Sequence, residues 1–114
     1  MADEVLIDKA VGLEFCMDDE EFYEEKLETY LEDSEEVVGL MREAYDKGDL
    51  ALYATEVHAL KSTSKTIGAV GLSNLALELE MAAKAEDADT VRSKHDGCMA
   101  TYEKVVAEVK KMLG

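Results

Sequence analysis

Apolar residues recur along this chain at helical spacing almost from end to end. Over residues 49–68, Tyr53, Val57, Leu60, Ser64 and Ile67 fall at i, i+4, i+7, i+11 and i+14, a continuous inward stripe. Ahead of it Val37, Leu40, Met41, Ala44 and Tyr45 form a second stripe that ends at Lys47-Gly48, where lysine suits the carbonyl end and glycine the left-handed stop. Asp49 then caps the next helix, and so short a connection makes the two helices antiparallel neighbours. Gly68 and Gly71 mark a turn, beyond which Leu72, Leu75, Leu79 and Ala82 or Ala83 face inward from a helix that reaches about Lys84. After a polar loop, with Asp89 as cap, the last helix carries Val91, His95, Cys98, Tyr102, Val105, Val109 and Met112 in alternating steps of four and three.

The N-terminal third is less regular. Residues 5–16 place Leu6, Ala10, Leu13 and Phe15 or Met17 inward but contain Gly12, which predicts a short helix lidding one end of a bundle. Asp18 and Asp19 offer a cap and a negative first turn to residues 20–31, whose inward face is Tyr23, Leu27, Tyr30 and Leu31 with Phe22 beside it. Asp33-Ser34 predicts a break, with Glu36 at capping-box spacing from Asp33. The pattern as a whole predicts one all-α domain over residues 1–114, an antiparallel four-helix bundle with a short additional N-terminal helix.

Composition narrows what such a bundle does. Proline is absent, and the net charge of −15 sets the chain against nucleic acid and against anionic membrane surfaces. The first twenty residues carry Asp3, Glu4, Asp8, Glu14, Asp18, Asp19 and Glu20, unlike a signal peptide, and no run of ~18 apolar residues occurs, so a cytoplasmic location is expected. Cys16 and Cys98 are isolated thiols, expected to be buried and reduced.

His58 lies off the inward stripe of its helix. Around it stand Ala51, Ala54 and Thr55 on one side and Lys61, Ser62 and Lys65 on the other. No Asp or Glu occurs over residues 57–77, where the composition of the chain would put roughly five. An accessible imidazole in a locally cationic setting suits receipt of a phosphoryl group. Neutral imidazole has a lone pair on one ring nitrogen while the other holds the proton, and the loose transition state asks mainly for positioning and positive charge. Lys61, one turn after His58, is placed to supply that charge, whereas Lys65, two turns away, acts at longer range or on a partner. His95 sits on the apolar seam of the last helix and reads as a packed structural residue. The Glu-x-x-His pairs of a di-metal bundle are missing, since Thr55 and Arg92 stand three residues before the two histidines.

The longer pattern His58-Ala59-Leu60-Lys61-Ser62-Thr63-Ser64, then Ile67-Gly68-Ala69, then Leu72, Leu75 and Glu80, resembles the signature of histidine-containing phosphotransfer (HPt) domains of two-component phosphorelays, and the order of helices over nearly the whole chain is similar. The resemblance implies that His58 is the phosphoacceptor, attacking through Nε2, that Lys61 neutralises the phosphoryl oxygens, and that Gly68 closes the helix. Ser62 stands where many members have glycine and adds a hydroxyl and a little bulk. Glu80 stands where some members place a glutamine that holds the imidazole, and it serves either that purpose or none beyond a surface charge. Such domains have no kinase activity and no cofactor of their own; magnesium is expected in the partner receiver domain. The implied partners are response-regulator receiver domains and a hybrid histidine kinase, met by a monomer. A bundle that binds or inhibits a receiver or kinase without being phosphorylated is the alternative of a different class.

Overall fold

The computed structural model describes residues 5–114; Asp3 and Glu4 lie outside the described residues. Five helices follow in order: α1 (Lys9–Phe15), α2 (Glu20–Lys47), α3 (Leu50–Thr66), α4 (Val70–Lys84) and α5 (Ala88–Leu113). Residues 48–49, 67–69 and 85–87 join α2 to α5 in turn, and connections this short force successive helices to run antiparallel. α2 packs on α3, α3 on α4, α4 on α5 and α5 on α2, which closes the four into a bundle, with α1 laid against α2 and α3.

The expected break at Asp33-Ser34 does not occur. Ser34 is buried and its hydroxyl donates to the Leu31 carbonyl at 2.7 Å, so it bonds within the helix instead of capping a new one. The inward stripe also keeps its phase across this point. Tyr23, Leu27, Tyr30, Ser34, Met41 and Ala44 are buried, with Val37 partly so, on one line from end to end. Two tyrosines on this line fasten α2 to α3: Tyr23 Oη donates to the Ile67 carbonyl at 2.8 Å, and Tyr30 Oη lies 2.9 Å from Ser64 Oγ. Those contacts satisfy the polar groups that α3 turns into the core. The five stripe residues, Tyr53, Val57, Leu60 and Ser64 on α3 and Ile67 at its C-terminal cap, are all buried.

α1 differs from its expectation in extent and in face. It begins at Lys9, where Asp8 accepts hydrogen bonds from the Ala10 and Val11 backbone, and its buried positions are Gly12 and the closing Cys16, while Ala10, Phe15 and Met17 are exposed. Gly12 is the contact point: a Cβ there would lie 2.3 Å from Tyr23 Cε1 and 2.7 Å from the Ile67 carbonyl. Gly68 is its counterpart. Its φ of +90 turns the chain between α3 and α4, and a Cβ would fall 2.1 Å from the Asp8 carbonyl. The Asp8 N–H donates to the Gly68 carbonyl at 2.8 Å, a backbone bond that ties the start of α1 to the α3–α4 turn.

Two further boundaries move. α4 starts at Val70, which puts Gly71 in its first turn, and α5 is capped by Asp87, whose side chain accepts from the Thr90 N–H, with Asp89 inside the first turn. Cys16 and Cys98 are fully buried free thiols, as expected, and burial pushes the Cys98 thiol up to about 12.

Candidate functional site

The α3–α4 hairpin sets the register of the site. Positions equidistant from Ala69 face one another across it, and His58 and Glu80 each stand eleven residues away. His58 Nδ1 lies 2.7 Å from Glu80 Oε2, and Lys61 Nζ lies 2.7 Å from Glu80 Oε1. Lys84, one turn after Glu80, brings its Nζ to 2.9 Å from Oε2. Ser73 Oγ donates to the Lys61 carbonyl at 2.9 Å and fixes α4 against α3 beside this cluster.

Exposure separates the members. The Glu80 side chain is 4% exposed and that of His58 is 57% exposed. Burial alone would push the Glu80 carboxyl up, but hydrogen bonds from Lys61, Lys84 and His58 outweigh it and the group falls from its ordinary 4.5 to about 2. At neutral pH Glu80 is therefore an ionised acceptor with no proton to give, so His58 Nδ1 must be the donor. A neutral His58 then holds its proton on Nδ1 and keeps a lone pair on Nε2, at the opposite edge of an exposed ring.

Open ground flanks the ring on both sides. Ala51, Ala54, Thr55 and Ala83 line a groove beside His58, with Leu50, Lys84 and the acids Asp49 and Glu86 also in its wall. On the other side Lys61, Ser62 and Lys65 border a shallow depression that reaches the exposed Val70 and Leu77. Ser62 is exposed there. Lys65 does not join the Glu80 cluster; its Nζ stands 5.9 Å from the centre of the Phe15 ring. Of the residues expected at a site, His58, Lys61 and Glu80 come together, while Gly68 serves the turn. Glu80 is a buried carboxylate with three donors, not a solvated surface acid. Lys84 escaped the sequence reading, although its i, i+4 spacing from Glu80 is a legible signal.

His95 is packed away from this cluster. It is buried, its Nδ1 lies 2.7 Å from Tyr53 Oη, and the Tyr45 ring stacks on it at 3.8 Å and 8°. Burial lowers its pKa, with Arg42 adding to that effect and Asp96 and Asp46 opposing it.

An antiparallel bundle that presents one histidine at its surface, its inner nitrogen held by a buried carboxylate and its outer nitrogen free, is a scaffold for chemistry at that nitrogen. The family model of the Hpt domain matches residues 25–113, and the chain belongs to that family. Hpt domains are phosphocarriers rather than kinases and interact with receiver domains and kinases, so membership assigns the chain, in coarse terms, to histidine phosphotransfer in phosphorelays. No curated protein and no solved structure matches the sequence. Among the described residues no helix is long and apolar enough to cross a membrane.

Proposed function

We propose that the chain is a cytoplasmic phosphorelay intermediate that accepts a phosphoryl group on His58 from a receiver-domain phospho-aspartate and passes it to another receiver. The Nε2 lone pair attacks phosphorus, the bond from phosphorus to the aspartyl oxygen breaks with its electron pair left on the carboxylate, and Nδ1 keeps its proton. Onward transfer reverses these steps, and because Nδ1 is protonated the group that leaves phosphorus is a neutral imidazole rather than an imidazolate. Glu80 thus serves both directions. Lys61 meets the charge on the phosphoryl oxygens, Lys65 adds positive charge toward the partner, and Gly68 keeps the hairpin in register. Magnesium belongs to the receiver, and the chain contributes no cofactor.

The docking surface comprises the small residues beside His58, Ala51, Ala54, Thr55 and Ser62, together with the exposed Met17 just beyond α1 and the half-buried Leu13 within it. A monomer suits a carrier that must show one histidine face to successive partners, a hybrid histidine kinase and its receivers among them. The observation that supports this function most directly is the 2.7 Å contact between Glu80 and His58 Nδ1, which leaves Nε2 as the free nucleophile.

Transfer of radiolabelled phosphate from a phosphorylated receiver tests it, with His58→Gln and His95→Gln alongside. Acid-labile, alkali-stable label is expected on the wild type and on His95→Gln and absent from His58→Gln. Binding to a receiver with no label on the wild type would favour a pure interaction module, and label persisting on His58→Gln would refute the site.

A further inference from the structure

We propose that Lys84 is a positioning residue for phosphoryl transfer at His58, holding the Glu80 carboxylate when Lys61 is drawn onto the phosphoryl group. This rests on His58 being the phosphoacceptor.

At rest, Lys61 is committed. Its Nζ lies 2.7 Å from Glu80 Oε1, while Oε2 is shared by His58 Nδ1 at 2.7 Å and Lys84 Nζ at 2.9 Å. To neutralise phosphoryl oxygens beyond Nε2, Lys61 has to loosen its hold on Oε1. A carboxylate 4% exposed regains little hydration in place of a lost cation, so the movement is costly unless another cation stays in place. Lys84 is on the other oxygen and on the other helix, and it stays when Lys61 moves. Its side chain is 65% exposed. An ordinary surface ion pair of such a lysine would contribute little, but here the acid is buried and already shares its charge with two further donors.

The charge balance of the product points the same way. When the bond from Nε2 to phosphorus forms and Nδ1 keeps its proton, the ring is formally cationic and the phosphoryl group carries a charge of about −2. With Glu80 ionised, the two lysines bring the phosphorylated cluster to neutrality. Without Lys84 it is left with one uncompensated negative charge against the protein interior. Lys65 does not substitute, since its Nζ stands over the Phe15 ring.

The test needs no partner protein. Phosphoramidate serves as donor, its P–N bond breaking with release of ammonia as the bond to Nε2 forms, and ³¹P NMR follows phosphohistidine. Lys84→Met is expected to be phosphorylated about three- to tenfold more slowly than the wild type, the range spanned by losing one exposed cation from a coupled cluster, and Lys84→Arg to recover most of the rate. Circular dichroism melts establish that both variants are folded at the assay temperature. Equal rates for the wild type and Lys84→Met overturn the role of Lys84 alone, as does a slow Lys84→Arg that melts like the wild type. No phosphoryl group on His58 of the wild type removes the phosphoacceptor reading and this proposal with it, an outcome distinct from the other two.

Discussion

Replacing Glu80 by glutamine removes a charge that the fold has stabilised, and the size of the effect follows from the site. The carboxyl falls from 4.5 to about 2, a difference worth roughly 3 kcal/mol at ~1.36 kcal/mol per unit. A depressed folded-state value means that this stability is fully present above pH 4.5 and is lost as pH falls toward 2. Integrated between pH 5.5 and pH 3, the wild type should lose ~2 kcal/mol through this one group. Glu80→Gln has no carboxyl to titrate there and should escape that loss, although it is the less stable protein at pH 7. Urea unfolding of both proteins at pH 7, 5.5, 4 and 3 gives the two curves. Their difference cancels the other carboxylates and the distant His95. If the two curves run parallel from pH 5.5 to pH 3, Glu80 is not held as an ion by Lys61, Lys84 and His58, and the tautomer assigned to His58 loses its support.

Other perturbations separate the parts of the account. Gly68→Ala has to place a side chain at a φ of +90 and 2.1 Å from the Asp8 carbonyl, and should cost at least ~2 kcal/mol in urea unfolding; Gly39→Ala, with nothing within 4 Å on an exposed face of α2, should instead stabilise by ~1 kcal/mol. Lys61→Met should slow labelling by a receiver about tenfold or more while the affinity for that receiver, measured by titration calorimetry, stays within about twofold. His95 is buried with its pKa lowered by desolvation, against Arg42 and Asp46 on α2, Tyr53 on α3 and Asp96 on its own helix. Its contribution is complete above pH 6.5 and lost as pH falls through the lowered value, so melting temperatures of the wild type should drop below pH 6.5 more steeply than those of His95→Gln.

Much of the bundle is written in the spacing of apolar residues. The stripe of α3 and the seam of α5 are buried as the sequence predicts, with only Met112 of the seam half-buried, because each is long and keeps one phase. The same signal, followed further, contradicts the break at Asp33-Ser34. Local capping chemistry suggested a helix end, but the stripe from Tyr23 to Ala44 never changes register, and a buried Ser34 bonded to Leu31 belongs to it. Gly12 marks a short helix, as the sequence predicts, but it has a second use: a glycine that weakens an isolated helix is what lets α1 approach the Tyr23 ring and the Ile67 carbonyl. That requirement is tertiary and leaves no local trace. At the site, His58 and Lys61 are legible as one face of a helix, whereas the role of Glu80 depends on the hairpin register. Once residues 67–69 are known to be the turn, the separation of His58 and Glu80 places them level, and the spacing of Lys84 follows from Glu80. The bond from Ser73 to the Lys61 carbonyl had no such signal.

The most direct test is the position of the phosphoryl group on the protein. ¹⁵N and ³¹P NMR of the ¹⁵N-histidine-labelled chain, phosphorylated by a receiver, should show phosphorus bonded to Nε2 of His58 with the proton retained on Nδ1. Phosphorus on Nδ1 of that ring, or on His95, would contradict the account.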